Sequence, residues 1–376
     1  MVARKINILQ LVNGFGVGGG EIGLLQLIKL LNKDKYHQVI CAVGQGGPLQ
    51  KDFEATGFRV EVFNKKFSFD FTLISKVANL MREENIDIVM TTLFYADVIG
   101  AFAARRAGVP IDISWECVSH PYKFRHMFTY RRALKTIDMV VAVSDAIRNE
   151  VIAKRGAPPE KMQTIHYGVD IQKYKISDGK AKRAELGVGD DEILFGVNAR
   201  MTVQKGHVYL VEAAKEVVQR YPRVKFALAG DGPLRGTIEN QINEAGLQQH
   251  FLFLGFRKDI VELLNAYDMF ILPSLWEGLP NVVLEAMSCG KGVIATAVDG
   301  TVEAVNDGET GLLVPSKNPK ALAQALLKVL DNPDLIKSMG EKSRARIEAE
   351  FTIEKEVEKF EHLYDSLFAR KVLHTR

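Results

Sequence analysis

Three cysteines in 376 residues, Cys41, Cys117 and Cys289, are too few and too scattered for a disulfide frame, and none has zinc-site spacing. The chain is expected to fold in a reducing compartment on its hydrophobic cores alone. No apolar run approaches the roughly 18 residues that span a bilayer. The opening MVARKINILQLVNG has only a short apolar stretch and no small-residue cleavage site, so it reads as a first strand rather than a secretory leader. There is no D-x-D pair of the kind that holds a divalent ion between carboxylate and phosphate. Excess charge is also scarce: the net charge is +3 and no nucleic-acid-binding module is recognisable, so nucleic acid is not an expected partner.

What remains is an ordinary globular composition, 47% hydrophobic and 25% charged, in a chain long enough for two domains. Charge is divided unevenly. Residues 1–176 hold 24 basic against 17 acidic side chains, +7, and the remainder holds 25 against 29, −4. A basic first half points to an anionic partner on that side. Short apolar runs alternate with amphipathic segments twice over. The first series runs from KINILQLV (5–12) to MQTIHYGVD (162–170), the second from ILFGVNAR (193–200) to GVIATAV (292–298), with helices filling 318–349. This alternation predicts α/β architecture with two doubly wound parallel sheets. The polar, glycine-rich stretch 174–192 is expected to be the linker. Ligands of such sheets bind beyond the carboxyl ends of the strands, here in an inter-domain cleft.

The motifs sit at those strand ends. After the first strand comes NGFGVGGGEIG (13–23), a glycine run opening a helix, whose backbone can approach a phosphate. The second strand ends AVGQGGP (42–48) without the acidic residue that would bind a nicotinamide cofactor's ribose, which disfavours a dinucleotide oxidoreductase. In the second half, NARMTVQKGH (198–207) places Arg200 and Lys205 after a strand. LAGDGP (228–233) ends another strand in a tight turn, and PSLWEGLPNVVLEA (273–286) leaves a third and opens a helix. Pro280 suits the first helical position, which aims the amides of Asn281 and Val282 at an anion. Arg200, Lys205 and these amides form a metal-free diphosphate site. Glu277 and Glu285 are too far apart for a tight pair, and each suits a separate set of hydroxyls.

These residues resemble the retaining glycosyltransferase family 4, also called group 1. The likeness rests on EGLPNVVLEAMSCG (277–290) with its E-x7-E spacing, GGGEIGLLQL (18–27), AVSDAIRNEV (142–151), IHYGVD (165–170), NARMTVQKG (198–206), GDGP (230–233) and the ending FTIEKEVEKFEHLY. The resemblance implies a GT-B fold: two facing Rossmann-like domains, residues 1–173 for the acceptor and 174–351 for the nucleotide sugar, with the last helix, 352–376, crossing back to the first. It implies that Arg200 and Lys205 bind the diphosphate, Glu285 the ribose hydroxyls and Glu277 the donor sugar. Gly278, Leu279, Pro280, Asn281 and Val282 would complete the phosphate site and Gly230 would line it. Gly18, Gly19 and Gly20 would close over the diphosphate, and the backbone at Phe256 and Arg257 would meet the base. The donor would be a UDP-, GDP- or ADP-sugar, UDP first, with no cofactor.

Two departures stand out. The position of the family's histidine after the fifth strand is Glu116 here, with His120 four residues on, and both are candidate catalytic residues. The asparagine of N-G-V-D is Tyr167, a change that tunes packing. On the acceptor side, residues 119–136 interleave Lys123, Arg125, Arg131, Arg132 and Lys135 with aromatics, a pattern suited to an anionic membrane surface or a phosphate-bearing acceptor. The expected activity is retaining transfer of a hexose-type sugar to a glycan or lipid-linked saccharide in cell-envelope, lipopolysaccharide or polysaccharide synthesis. Its expected place is the cytoplasm, with peripheral contact at the inner membrane face. Two alternatives predict different behaviour. A silent nucleotide-sugar-binding scaffold predicts binding without turnover, and a GT-B-fold epimerase predicts an altered sugar nucleotide without transfer.

Overall fold

In a computed structural model, which describes residues 4–65, 70, 72–118 and 124–373, the chain forms two compact units. One comprises residues 1–167 with 353–376, the other 168–352. The first unit runs β1 (Ile6–Val12), α1 (Gly19–Leu30), β2 (Tyr36–Ala42), α2 (Gln50–Glu54), β3 (Arg59–Val62), α3 (Thr72–Glu83), β4 (Ile88–Thr92), α4 (Phe94–Ala107) and β5 (Ile111–Glu116). It continues through α5 (Phe124–Ala133), β6 (Met139–Ala142), α6 (Asp145–Glu150) and β7 (Met162–Thr164). The second runs α7 (Lys180–Glu185), β8 (Ile193–Asn198), α8 (His207–Arg220), β9 (Val224–Ala229), α9 (Arg235–Glu244), β10 (Phe251–Gly255), α10 (Ile260–Ala266) and β11 (Met269–Leu272). It ends with α11 (Asn281–Ser288), β12 (Gly292–Thr296), α12 (Thr301–Ala304), β13 (Gly311–Val314), α13 (Pro319–Asp331) and α14 (Asp334–Glu350), after which α15 (Ile353–Phe368) rejoins the first unit.

Both sheets are parallel. Their strand orders are β3-β2-β1-β4-β5-β6-β7 and β10-β9-β8-β11-β12-β13. Strands such as β4 (IVMTT) are buried along their whole length, because helices cover both faces and leave no polar face to alternate with. Each order reverses once, between β1 and β4 in the first unit and between β8 and β11 in the second. The crevice at such a reversal is where ligands of open α/β sheets bind.

Local chemistry sets the helix ends. Ser144 accepts a hydrogen bond from the Ile147 N–H at the start of α6, and Asn318 accepts from Ala321 at the start of α13, where Pro319 follows. Residues 151–155 continue α6 as a π-helical turn, closed by Gly156 at φ 77°. The stretch 174–192 belongs to the second unit and contains α7, so the expected linker is instead part of a folded unit. Its polarity reflects exposure of one helix face rather than a flexible tether. All three cysteines are buried thiols.

Candidate active site

The second unit's reversal point brings together residues from two strand ends. Lys205 lies after β8 and Glu277 after β11, and the Lys205 ammonium meets the Glu277 carboxylate at 2.5 Å. Ser274 donates its hydroxyl to the same Glu277 oxygen at 2.5 Å. The two loops are laced by backbone: the Leu275 N–H donates to the Gln204 carbonyl at 2.7 Å, and the Gln204 side chain donates to the Trp276 carbonyl at 3.0 Å. The Glu277 N–H donates to Asp299 at 2.9 Å. Glu277 is thus buried, while Lys205 keeps partial access to solvent. Arg200 is exposed and makes no ion pair among the described residues.

Glycine is required where these loops press together. At Gly230 φ is 137°, and a Cβ there would lie 2.1 Å from the Ala199 carbonyl oxygen, next to Arg200. The GDGP turn therefore buttresses the Arg200 loop instead of offering a side chain. His207 opens α8 just after Lys205, with both ring nitrogens buried and unpartnered. Burial and the Lys205 charge hold its pKa down at about 4, so it adds no charge at neutral pH.

Helix α11 begins at Asn281, and Pro280 caps it rather than standing in its first turn as the sequence suggested. The amides of that turn emerge beside Glu277 in the sequence, at the positive end of the helix dipole. Glu285 lies one turn further on and is half-buried, and the Tyr174 hydroxyl donates to it at 2.9 Å. Burial raises the Glu285 pKa to about 7, with Tyr174 and Lys173 opposing the rise. Leu279 is buried. Phe256 is exposed at the end of β10, and Arg257 is held by Asp259 and Glu185.

Known families match both units. The model of glycosyl transferases group 1 covers residues 178–346 and that of glycosyltransferase family 4 covers residues 17–173. An Escherichia coli UDP-Gal:α-D-GlcNAc-diphosphoundecaprenol α-1,3-galactosyltransferase is 30% identical over 92% of this chain and 93% of its own. The chain is a group 1 glycosyltransferase. The glycosyltransferase is also 27% identical to N-acetyl-α-D-glucosaminyl L-malate synthase of Bacillus anthracis over 94% of each chain. Among solved structures, Anabaena HepE in complex with UDP superposes with a TM-score of 0.87 at 25% identity, over 96% of this chain and 100% of that one. The fold is accordingly GT-B, built from two Rossmann-like units.

In the first unit of this glycosyltransferase, Gly18 caps α1 and the glycine run lies at the β1–β4 reversal, where the strand–glycine–helix order predicted it. Gly20 is buried, and a Cβ there would lie 3.4 Å from the Cys117 sulfur, an ordinary contact distance. Tyr167 is buried against α1, where a Cβ on Gly23 would meet its ring at 2.7 Å. Glu116 ends β5 fully buried. It accepts from Arg155 at 2.7 Å and from the Tyr130 hydroxyl. Its carboxylate is therefore held by Arg155 and Tyr130. His120 and Lys123 lie outside the described residues, as does the Arg125 side chain. Arg131, Arg132 and Lys135 are exposed beside Phe128, and the Arg132 guanidinium lies 4.6 Å from the Phe128 ring centroid. Among the described residues no helix is long and apolar enough to cross a membrane.

Two participants escaped the sequence reading. Tyr174 and Ser274 carry no motif of their own; the only signal for Ser274 was its place three residues before Glu277.

Proposed function

We propose that this glycosyltransferase moves a hexose-type sugar from a UDP-sugar to a hydroxyl of a lipid-linked saccharide, with retention of configuration and without a metal ion or cofactor. The observation that carries this reading is the Lys205–Glu277–Ser274 cluster at the β8–β11 reversal, with the exposed Arg200 earlier in the same β8 loop and the start of α11 following Glu277 in the chain. An ammonium, a guanidinium and a helix N-terminus are preorganised donors for a diphosphate that gains charge as it leaves. The E. coli relative is named for a UDP-galactose donor and a diphosphoundecaprenol-linked acceptor, and HepE has been crystallised with UDP-glucose, which supports a UDP-sugar here.

In this mechanism the bond from the anomeric carbon to the diphosphate oxygen breaks as the acceptor oxygen approaches the same face. The acceptor proton passes to the departing phosphate oxygen, so no protein base is required. Lys205 and Arg200 stabilise the leaving charge. Glu277 orients the sugar hydroxyls and also fixes the Lys205 ammonium, and Glu285 accepts from the ribose. The exposed Arg131, Arg132 and Lys135 face the anionic headgroups of the membrane that carries the acceptor.

The test is turnover with UDP-glucose, UDP-galactose and UDP-N-acetylglucosamine on a diphosphoundecaprenol-linked N-acetylglucosamine acceptor in EDTA, with product stereochemistry read by NMR. An α-linked product formed in EDTA is expected. A β-linked product, or loss of turnover on chelation, would overturn the stereochemical or the metal-free part. UDP-sugar binding without transfer to this or a panel of other lipid-linked acceptors would favour the silent scaffold.

A further inference from the structure

We propose that Tyr174 is a positioning residue for the sugar donor: its hydroxyl orients the Glu285 carboxylate, leaving the second oxygen to accept from the ribose hydroxyls. The inference rests on the reading of Glu285 as the ribose acceptor. It begins from how tightly Tyr174 is held. Asp170 accepts from the Gln172 and Lys173 N–H groups at 2.9 Å each, and its carbonyl accepts from the Tyr174 N–H at 2.9 Å. This turn delivers Tyr174 to the far end of α11. There the Tyr174 carbonyl accepts from the Ser288 hydroxyl at 2.6 Å and from Arg344 of α14 at 3.1 Å. The same Arg344 nitrogen donates to the Ser288 carbonyl at 2.8 Å. Two helices thus fix one backbone carbonyl, the turn fixes the N–H, and Tyr174 is buried.

The outcome of this clamp is a single O–H on a single carboxylate, 2.9 Å from Glu285 Oε1. The remaining charged and titratable groups near the pair are Lys173 and Asp170 on the turn, Cys289 and Lys291 after α11, and Arg344 on α14. Among the described residues, none of these side chains hydrogen-bonds or ion-pairs with the Glu285 carboxylate. A half-buried carboxylate left alone takes up a proton and turns from acceptor into donor. A hydrogen bond from a neutral hydroxyl favours the ionised form and fixes its rotamer. Tyr174 stays neutral, because burial and the Glu285 charge push its own pKa up.

Tyr174→Phe removes that O–H and keeps the ring. Titration calorimetry with UDP at pH 7 is expected to show binding weaker by about tenfold, the loss of one hydrogen bond to a charged group. The deficit should shrink toward pH 8.5, where Glu285 ionises in both proteins; the titration of UDP's own phosphate is common to both and cancels in the ratio. Preference for UDP over 2′-deoxy-UDP should fall, and Tyr174→Phe should add nothing in a Glu285→Gln background. Arg344→Lys, which loosens the hold on the Tyr174 carbonyl while leaving the Tyr174 hydroxyl in place, should lose a smaller part of the affinity. If wild type prefers UDP over its 2′-deoxy analogue while both variants keep wild-type affinity, preference and pH profile, the positioning role is overturned and the ribose reading stands. If wild type shows no such preference, or fails to bind UDP, the ribose reading itself falls and the proposal with it.

Discussion

Each unit carries a buried glutamate at or beyond the end of a strand, paired with a basic residue and a hydroxyl, yet the two clusters differ in how far the cation is open to solvent. In the first, Arg155 meets Glu116 at 2.7 Å, and the two side chains are 1% and 3% exposed. In the second, Lys205 meets Glu277 at 2.5 Å, at 19% and 6%. The chemistry is nearly the same; access to the cation is not. Glu116 also lies off the β1–β4 reversal, whereas Glu277 lies on the β8–β11 one. A closed pair has spent its charge inside the protein. An open pair, in a loop that also carries the exposed Arg200, still has field to offer a ligand. Position relative to the reversal, more than residue type, distinguishes the two clusters.

The sharpest way to break this contrast is to remove each cation. Arg155→Ala leaves Glu116 buried and uncompensated, and is expected to lose about 3–5 kcal/mol in chemical denaturation. A Glu116→Leu/Arg155→Met double variant should recover most of that, as apolar replacements of buried pairs do. If Arg155→Ala were stable but inactive, the first cluster would be a site after all. Lys205→Ala should do the reverse. Turnover should fall by about 10²–10³, roughly 3 kcal/mol in the barrier, with a smaller loss of stability than in Arg155→Ala because Lys205 is partly solvated. Wild-type turnover in Lys205→Ala would sink its assignment.

Glu285 sharpens the comparison from another side. Its carboxyl pKa is raised by burial from 4.5 to about 7, so the folded state holds its proton more readily than the unfolded chain. Any stability this group contributes is full below about pH 4.5 and lost as pH rises to about 7. Wild type measured against Glu285→Gln by urea melts should therefore lose ground across that window and level off above it. An unchanging difference from pH 4.5 to 7.5 would show that the carboxylate is better solvated than its burial implies. The smallest effect is expected at the surface. Arg131→Glu and Arg132→Glu should each weaken binding to anionic phosphatidylglycerol vesicles by about 1 kcal/mol, less at high salt, with turnover on a water-soluble acceptor unchanged. Equal binding by the variants would detach this face from the membrane.

Much of the architecture was legible because parallel strands under two helical layers must be uniformly apolar, and their alternation with amphipathic helices is readable without partners. That Lys205 and Glu277 fall in loops following strands was legible for the same reason, since the loops after β8 and β11 carry the motifs. Glu116 was not, because its partner Arg155 comes from a π-helical turn 39 positions away, and no local pattern announces that pairing. Tyr174 was hidden likewise, since its contact with Glu285 depends on Arg344 and Ser288 from two other helices. The stretch 174–192 misled because polarity marks exposure, and an exposed short helix is as polar as a tether.

The three buried thiols turn the protein into its own reporter. Cys41 and Cys117 belong to one unit and Cys289 to the other, and burial pushes all three thiols up, Cys289 to about 12. None presents a thiolate to an alkylating reagent while the chain is folded. Each must wait for its surroundings to open, so labelling followed by mass spectrometry of the separate peptides clocks the breathing of the two units independently. Cys289 lies four residues from Glu285, and protection of that one sulfur by added UDP would register nucleotide engagement without any turnover at all.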